Sequence, residues 1–370
     1  MPDPAPRSPI LISSLFAWLF LIVYASCYPF SGWRTAGMAP FAYFGAGFSH
    51  YWTWFDVSTN VLGYIPLGFL LVLFMYPGLR GWFALALALV LSGLLSGLLE
   101  AMQTYLPSRV PSLLDWLTNV GGALLGALSG VGLASPLLRH SQLWSLRQRW
   151  FNHEASFGLV VLGLWPLAQI YPQPYLFGNG QLLPVVLDWL AFLLDQPFDL
   201  ATWSGRRWAL SVQQFWLAET LITACSVTGA VLTLLCLLRK AAPQTGLILA
   251  LFGLTLFVKT LACALLFAPE NALVWLTPGA QGGCVIGLIM LSGLAYARPT
   301  AQRRIALLTI FLSVFLINII PENPYFTATL QSWVQGRFLN FNGAAQFLSL
   351  LWPFLALWFL SHPAHSPTHK

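Results

Sequence analysis

The chain has 370 residues, of which 58% are hydrophobic and 8% are charged, and its formal net charge is +6. Soluble globular proteins carry charge on about 25% of their residues, so this composition excludes a water-soluble globule. Apolar runs long enough to cross roughly 30 Å of hydrocarbon recur along the whole chain. The composition therefore indicates a polytopic membrane protein.

The apolar runs predict an all-α fold, a transmembrane bundle of about ten helices. Pro66 and Pro166 interrupt the second and the fifth of these runs, where a proline can bend or end a helix. In chain order, the predicted spans are 9–29, 58–76, 82–103, 116–137, 155–172, 209–238, 245–268, 279–297, 304–320 and 343–361.

Lysine and arginine indicate the orientation, because short cytoplasmic loops of membrane proteins accumulate them. With the N-terminus inside, eleven of the seventeen lie on the cytoplasmic side and five lie outside. The sequence thus predicts that both termini are cytoplasmic (N-in/C-in). This topology accounts for most of the net positive charge, and we expect no nucleic-acid partner.

The longest polar and basic stretch, RHSQLWSLRQRWFNHE at 139–154, divides the chain into two membrane domains. Residues 1–138 form a predicted four-helix domain, 139–154 a basic cytoplasmic linker, and 155–370 a predicted six-helix domain. Within the last of these, residues 173–208 mix aspartates with bulky apolar residues. That pattern is typical of a periplasmic segment that lies at the membrane interface or re-enters the membrane.

Two short stretches repeat one pattern of polar residues: DVSTNVLG begins at Asp56 and DWLTNVGG begins at Asp115. On a helix, Asp, Asn and Gly at the spacing i, i+4 and i+7 share one face. Both stretches begin at the predicted outer side and run inward, so the two helices are predicted to be parallel. Gly122 and Gly126 form a G-x-x-x-G motif that lets a neighbouring helix approach closely. The alternative is that each Asp only caps its own helix.

The segment between the repeats brings further polar residues to the same predicted face. Glu100 and Gln103 end the third predicted helix, and Arg109, the nearest cation, lies in the turn that follows. An acidic residue inside a span is costly and usually has a partner. We predict a shallow polar pocket in which Arg109 contacts an anion and each repeat glycine lets the third helix come close; a structural ion-pair network is the alternative. The predicted ligand-binding residues are Asp56, Asn60, Glu100, Gln103, Arg109, Asp115 and Asn119.

Four polar motifs occur in a fixed order within the first third of the chain. They are YASCYPFSGW at 24–33, D-x3-N-x2-G-x2-P-x-G at 56–68, E-x2-Q-x5-R at 100–109 and S-x2-D-x3-N-x2-G-x3-G at 112–126. Together they resemble the VanZ family of membrane proteins, and the C-terminal stretch 340–357 is similar to longer bacterial members with additional helices. The signature positions that the resemblance implies are Asp56, Asn60, Gly63, Pro66, Gly68, Glu100, Gln103, Arg109, Asp115, Asn119 and Gly122.

Three hypotheses about function remain. The leading one is a non-enzymatic envelope protein that binds a lipid-linked or glycopeptide-like anionic ligand at the outer face. The VanZ resemblance implies a multi-pass protein of the bacterial cytoplasmic (inner) membrane and a role in low-level resistance to teicoplanin. The second hypothesis is an intramembrane enzyme with Glu100 and Asp115 as an acid and base pair, and the third is a transporter of an envelope lipid precursor. The expected partners are membrane lipids and a lipid-linked envelope precursor, with no cofactor.

Two further charges, Glu219 and Lys259, fall at similar depths inside predicted spans of the C-terminal domain. Opposite charges in hydrocarbon are tolerated best when they are paired, so we predict a buried structural contact between them. The five cysteines include no C-x-x-C pair and no histidine at ligand spacing, so no metal site is expected. The predicted structural residues are Gly63, Pro66, Gly68, Gly122, Gly126, Glu219 and Lys259.

Overall fold

The chain forms two compact units, one comprising Met1–Arg149 and Gln335–Ala344 and the other Trp150–Val334 and Ala345–Lys370. Each unit is built from α-helices, and the described residues contain no β-strand. The computed structural model describes residues 9–35, 37–48, 52–138, 142–152, 155–195, 210–267, 269–321, 326 and 339–362.

The described residues include twelve α-helices. The first five are α1 (Pro9–Cys27), α2 (Trp54–Met75), α3 (Gly81–Gln103), α4 (Leu113–Leu138) and α5 (Gln142–Trp150). The other seven are α6 (Ala155–Ala168), α7 (Leu183–Leu194), α8 (Val212–Leu237), α9 (Gln244–Leu266), α10 (Pro278–Leu294), α11 (Pro299–Ile319) and α12 (Leu339–Ser361).

The predicted fold class is confirmed, because eight of these helices are long and apolar enough to cross a membrane. The protein is a polytopic helical membrane protein. A helix occurs at each of the ten predicted spans, but α6 has only 14 residues, fewer than the roughly 17 that a crossing needs. Helix α10, with 17 residues, lies at that limit. Helices α5 and α7 are additional to the predicted spans.

In the first unit, α2 and α4 run parallel in very close contact. A Cβ atom on Gly122 would overlap the backbone of Val61, and one on Gly126 would overlap the backbone of Ile65. Gly68 meets the backbone of α4 at Ala123 in the same way. Because glycine has no side chain, the two helices approach until their backbones touch, as small-xxx-small motifs allow in membranes.

In the second unit, α8 is the central helix, and it packs against α6, α10 and α11. Most of its residues are buried, so it is surrounded by protein, as expected of an apolar helix in a core. Its hydroxyl side chains reach out to an irregular stretch of chain: Thr223 donates to the carbonyl of Leu176 at 3.0 Å and Ser226 to that of Phe177 at 3.0 Å.

That irregular stretch, residues 169–182, explains why α6 ends earlier than the predicted span. Pro172 and Pro174 cannot donate backbone hydrogen bonds to a continuing helix. Gln169 instead donates to Asn179 at 2.9 Å, and Gln173 donates to Ser349 at 2.8 Å. Non-helical backbone is tolerated at membrane depth where protein buries it. The predicted interfacial segment 173–208 therefore begins as buried chain and continues as α7, while residues 196–209 lie outside the described residues.

Candidate functional site

Asp56 lies in the first turn of α2, where it forms a capping box with Thr53. The Thr53 hydroxyl accepts from the Asp56 amide at 3.2 Å, and the Asp56 carboxylate accepts from the Thr53 amide at 3.1 Å. This arrangement satisfies two amides at the helix start that have no partner within the helix. The capping role that the sequence offered as an alternative for Asp56 is thus present in the structure.

Asn60 and Asp115 join the two repeats directly. The Asn60 side-chain amide donates to Asp115 Oδ1 at 3.0 Å, which links the second turn of α2 to the first turn of α4. Asp115 is also close enough to Asp56 for the two carboxylates to interact electrostatically. The structure therefore places both repeat aspartates on the same side of the bundle and next to each other.

Glu100 extends this acidic group toward the end of α3. Its side chain is 4% exposed, and its Oε2 accepts from the backbone amide of Ser112 at 3.0 Å. Glu100 interacts electrostatically with Asp115 and with Arg109, although no direct Glu100–Arg109 ion pair forms within the described chain. Three carboxyl groups and one guanidinium therefore lie at one end of this unit.

Arg109 and Gln103 both bind the C-terminal end of α1. Arg109 Nε and Nη2 donate to the carbonyl of Tyr28 at 3.0 and 2.6 Å, and Nη2 also donates to that of Ala25 at 3.2 Å. Gln103 donates to the carbonyl of Ser26 at 3.0 Å. These carbonyls lack partners within the helix, and a cation at a helix C-terminus is favourable. Most of the donor capacity of Arg109 is thus used within the protein.

Arg109 lies outside the spanning helices, and burial lowers the pKa of its guanidinium to about 10, whereas neighbouring groups, Glu100 among them, act to raise it. A pKa of about 10 leaves the side chain cationic at neutral pH. The positive charge remains beside the carboxylates even though its hydrogen bonds go to backbone carbonyls.

Asn119 lies one turn deeper than Asp115 and contacts α3. Its amide donates to the Ser96 hydroxyl at 3.0 Å, while its own carbonyl oxygen Oδ1 is buried without a hydrogen-bond partner in the described structure. The Ser92 hydroxyl, one turn along α3, is also buried without a partner. Leaving such groups buried without a partner is costly. Asn119 Oδ1 and the Ser92 hydroxyl can therefore each form a further hydrogen bond.

The repeat glycines do not do what the sequence predicted. We expected each to bring α3 close, but Gly122 faces Val61 of α2, and Gly63 has open space where its side chain would be. The Gly63 carbonyl instead accepts from the Trp18 indole of α1 at 2.8 Å. Sequence spacing fixes which residues share a face, but not which neighbour that face meets. Gly68 and Gly126 make the α2–α4 contact with Gly122, and Pro66 lies within α2 beside them.

A groove lined by aromatic and apolar side chains adjoins the acidic end of α2 and α4. The groove has a volume of about 460 Å³, in the range typical of small-molecule sites. Trp52 and Trp54 meet edge to face at 5.3 Å. Two of its residues, Val57 and Leu114, directly follow Asp56 and precede Asp115. The complete lining is Phe48, Trp52, Trp54, Val57 and Leu114.

Sequence reasoning missed three residues that organise this end of the unit. Thr53 stands three positions before Asp56, and that spacing is a recognisable capping-box signal. Tyr43 is buried and donates to the carbonyl of Gly97 at 3.1 Å, and Trp116 donates to that of Gly93 at 3.0 Å. Both rings contact α3 at glycines, where the absence of a side chain leaves the carbonyl accessible. No sequence motif predicts these two contacts.

The predicted contact between Glu219 and Lys259 is not formed. The Glu219 carboxylate accepts from the Thr277 hydroxyl, and Lys259 donates to the carbonyl of Tyr171 at 3.5 Å. Both residues line one cavity with Gln173, so the prediction that they lie at similar depth was correct. The sequence did not show in which direction each side chain points from its helix. No group of three His, Cys, Asp or Glu side chains in the described ranges is arranged to hold a metal ion.

Residues 11–134 match the VanZ/LLP1 family model. This part of the chain is therefore similar to the VanZ family. The matched region includes most of α1, all of α2 and α3 and most of α4, and hence all seven predicted ligand-binding residues. The VanZ-like region ends before the second unit begins. Comparisons with curated proteins and with solved structures yield no match.

Proposed function

We propose that the VanZ-like unit binds the headgroup of a lipid-linked cell-envelope molecule at the predicted outer face of the cytoplasmic membrane, without catalysing a reaction on it. The observation that carries this proposal is the apolar aromatic groove beside Asp56, Asn60 and Asp115. An amphiphilic ligand fits such a neighbourhood, because its chain can occupy the groove while its headgroup contacts the polar residues.

The polar residues beside the groove indicate which functional groups the headgroup carries. Asp56, Asn60 and Asp115 are half-buried, and their oxygens can accept from hydroxyl or amino groups. Arg109 supplies the cation for a phosphate, but its Nε and Nη2 already bind α1. We therefore propose a ligand whose hydroxyl or amino donors face the carboxylates and whose phosphate lies toward Arg109. Sequestering or masking such a molecule would account for a role in low-level teicoplanin resistance.

Mass spectrometry of the lipids retained after purification in mild detergent tests the proposal. We expect one lipid class to be enriched with the wild-type protein and depleted in Asp115→Asn and Trp54→Ala variants. Trp82→Ala is the matched control, because Trp82 is equally exposed in the same unit but outside the groove. The same lipid profile in all four proteins would contradict the proposal. Conversion of the retained lipid to a product would favour an enzyme that uses Glu100 and Asp115.

The proposed resistance role and orientation have separate tests. Expression in a teicoplanin-susceptible bacterium should raise the inhibitory concentration for the wild type and not for Asp115→Asn at matched protein levels. Reporter fusions at residues 145 and 190 should place the first position in the cytoplasm and the second in the periplasm. A periplasmic signal at residue 145 would put the groove on the cytoplasmic face and exclude contact with an external antibiotic.

A further inference from the structure

The second unit contains a cavity that lies outside the VanZ-like region. Its volume is about 130 Å³, and it is lined by polar residues Gln173, Glu219, Lys259 and Thr277 together with apolar walls that include Phe267 and Trp275. Since a water molecule occupies roughly 30 Å³ of liquid, the cavity has room for about four waters or a solute of similar bulk.

Lys259 brings a cation to this cavity without an acidic partner. The side chain is 3% exposed, and its hydrogen bond to the Tyr171 carbonyl is long, at 3.5 Å. An ammonium group has three donors, and no carboxylate of the described chain lies within ion-pairing distance of it. Buried charges are normally paired or bound to a ligand, so Lys259 retains capacity for an anionic group.

Glu219 does not neutralise Lys259 because its own oxygens are turned to other donors. Its carboxylate accepts from the Thr277 hydroxyl, and the backbone amides of Leu176 and Ala280 also face it. Thr277 and Ala280 belong to the start of α10, where unpaired amides favour an anion. The Glu219 carboxylate and the Lys259 ammonium group therefore line the same cavity, and each is bonded to a different protein group.

Gln173 also lines this cavity, and its side-chain amide is held in place by protein groups. Its side-chain nitrogen donates to the carbonyl of Ala168 at 3.0 Å and to the Ser349 hydroxyl at 2.8 Å. These two bonds fix the orientation of the amide, and its oxygen Oε1 is buried with no partner in the described structure. Because Oε1 is closed off from the open space of the cavity, the carboxylate acceptor that lines it for a bound donor is Glu219.

We propose that this cavity binds a small zwitterion, a compound that carries a carboxylate and a protonated amine. The carboxylate of the ligand pairs with Lys259, and its ammonium group faces the Glu219 carboxylate, which lines the same cavity. The apolar walls at Phe267 and Trp275 restrict the remaining part of the ligand to a hydrogen or a small alkyl group. An amino acid such as glycine or alanine has this chemistry and bulk.

Protection of Lys259 from reductive methylation by formaldehyde and borane tests this site in the full-length wild-type protein. The chain has three lysines, Lys240, Lys259 and Lys370, so the other two report general reactivity in the same sample. We expect glycine or alanine to protect Lys259 at concentrations about tenfold lower than acetate or methylammonium, because neither half alone makes both contacts. Because glycine, alanine and methylammonium also consume formaldehyde, labelling of Lys259 is expressed relative to that of Lys240 and Lys370 in the same sample.

Thermal unfolding gives a second readout that does not require Lys259 to react. Glycine or alanine should raise the unfolding temperature of the wild type and of the control variant Lys240→Met, but not that of Lys259→Met. Protection by acetate as strong as by alanine would show a simple anion site. Neither protection nor a thermal shift would show a water-filled cavity. Either result overturns the proposal, and if Lys259→Met does not fold, the labelling of the wild type decides.

Discussion

Glycine allows close helix packing in both units, but the α2–α4 contact of the first unit and the α8–α11 contact of the second differ in what the glycine faces. Gly122 and Gly126 of α4 face the backbone of α2, whereas Gly229 of α8 faces the side chain of Ile310 in α11. An overlap with backbone is relieved only when a whole helix shifts, whereas an overlap with a side chain is relieved when that side chain changes rotamer. The α2–α4 contact should therefore tolerate added volume poorly, and the contact of α8 with α11 should tolerate it better.

The largest effect is expected from Gly126→Ala, because the new methyl group would overlap the carbonyl of Ile65. Overpacking typically costs 1–3 kcal/mol and more when the surroundings cannot adjust, and we expect about 3 kcal/mol or more here. Thermal unfolding in detergent, followed by tryptophan fluorescence, measures it. Gly132→Ala is the matched control in the same helix, because nothing lies within 4 Å of that position. Equal effects at the two positions would show that α2 and α4 can separate without cost.

Gly229→Ala should have a smaller effect on the second unit. Its methyl group would approach Ile310 Cγ1 to 2.5 Å and the Thr309 hydroxyl to 3.0 Å, and both belong to side chains that can shift. We expect a loss of about 1–2 kcal/mol, again from thermal unfolding. Gly253→Ala in α9, where the site is open, is the control. A loss as large as that of Gly126→Ala would remove the distinction between backbone and side-chain contacts.

The polar residues differ between the units as well. Asn60 and Asp115 bond to each other across two helices, whereas Glu219 and Lys259 bond to separate partners around a cavity. A double-mutant cycle with Asn60→Ala and Asp115→Ala should give a coupling of about 1 kcal/mol. The cycle of Glu219→Gln and Lys259→Met should give a coupling near zero when no ligand is present. Strong coupling in the second cycle would mean that those charges pair directly.

The sequence predicted how deep residues lie along the spanning helices better than it predicted which neighbour each helix face meets. Hydropathy located a helix at every predicted span, and the i, i+4 spacing put Asp56 and Asn60 on one face of α2, from which Asn60 bonds to Asp115 at the start of α4. The direction of Gly122 and the partners of Lys259 could not be read, because a spanning helix is apolar on nearly all sides and its pattern does not show which face meets protein. Arg109 was predicted to contact an anion, with a structural ion-pair network as the alternative, whereas it binds helix-end carbonyls, which are acceptors that no residue type reveals.

The smallest effects are expected at the two capping boxes, one in each unit. Thr53 with Asp56 caps α2, and Ser211 with Gln214 caps α8. Replacing either cap residue by alanine should cost about 1 kcal/mol or less. Hydrogen exchange should show faster exchange of the amides in the first turn of the affected helix, and of no amide in the other unit.

The two capping boxes should nevertheless differ in how many turns show faster hydrogen exchange after the cap residue is replaced. Gln214 is neutral, so the effect of Ser211→Ala should stop at the first turn of α8. Asp56 is a charge next to Asp115, and Thr53→Ala removes the hydroxyl that bonds the Asp56 carboxylate at 2.7 Å. A less restrained carboxylate would act on Asp115 and loosen the Asn60–Asp115 link, so exchange should also accelerate in the first turn of α4. Unchanged exchange there would show that Asp56 serves only as a local cap and that the acidic group depends on Asn60, Glu100 and Asp115 alone.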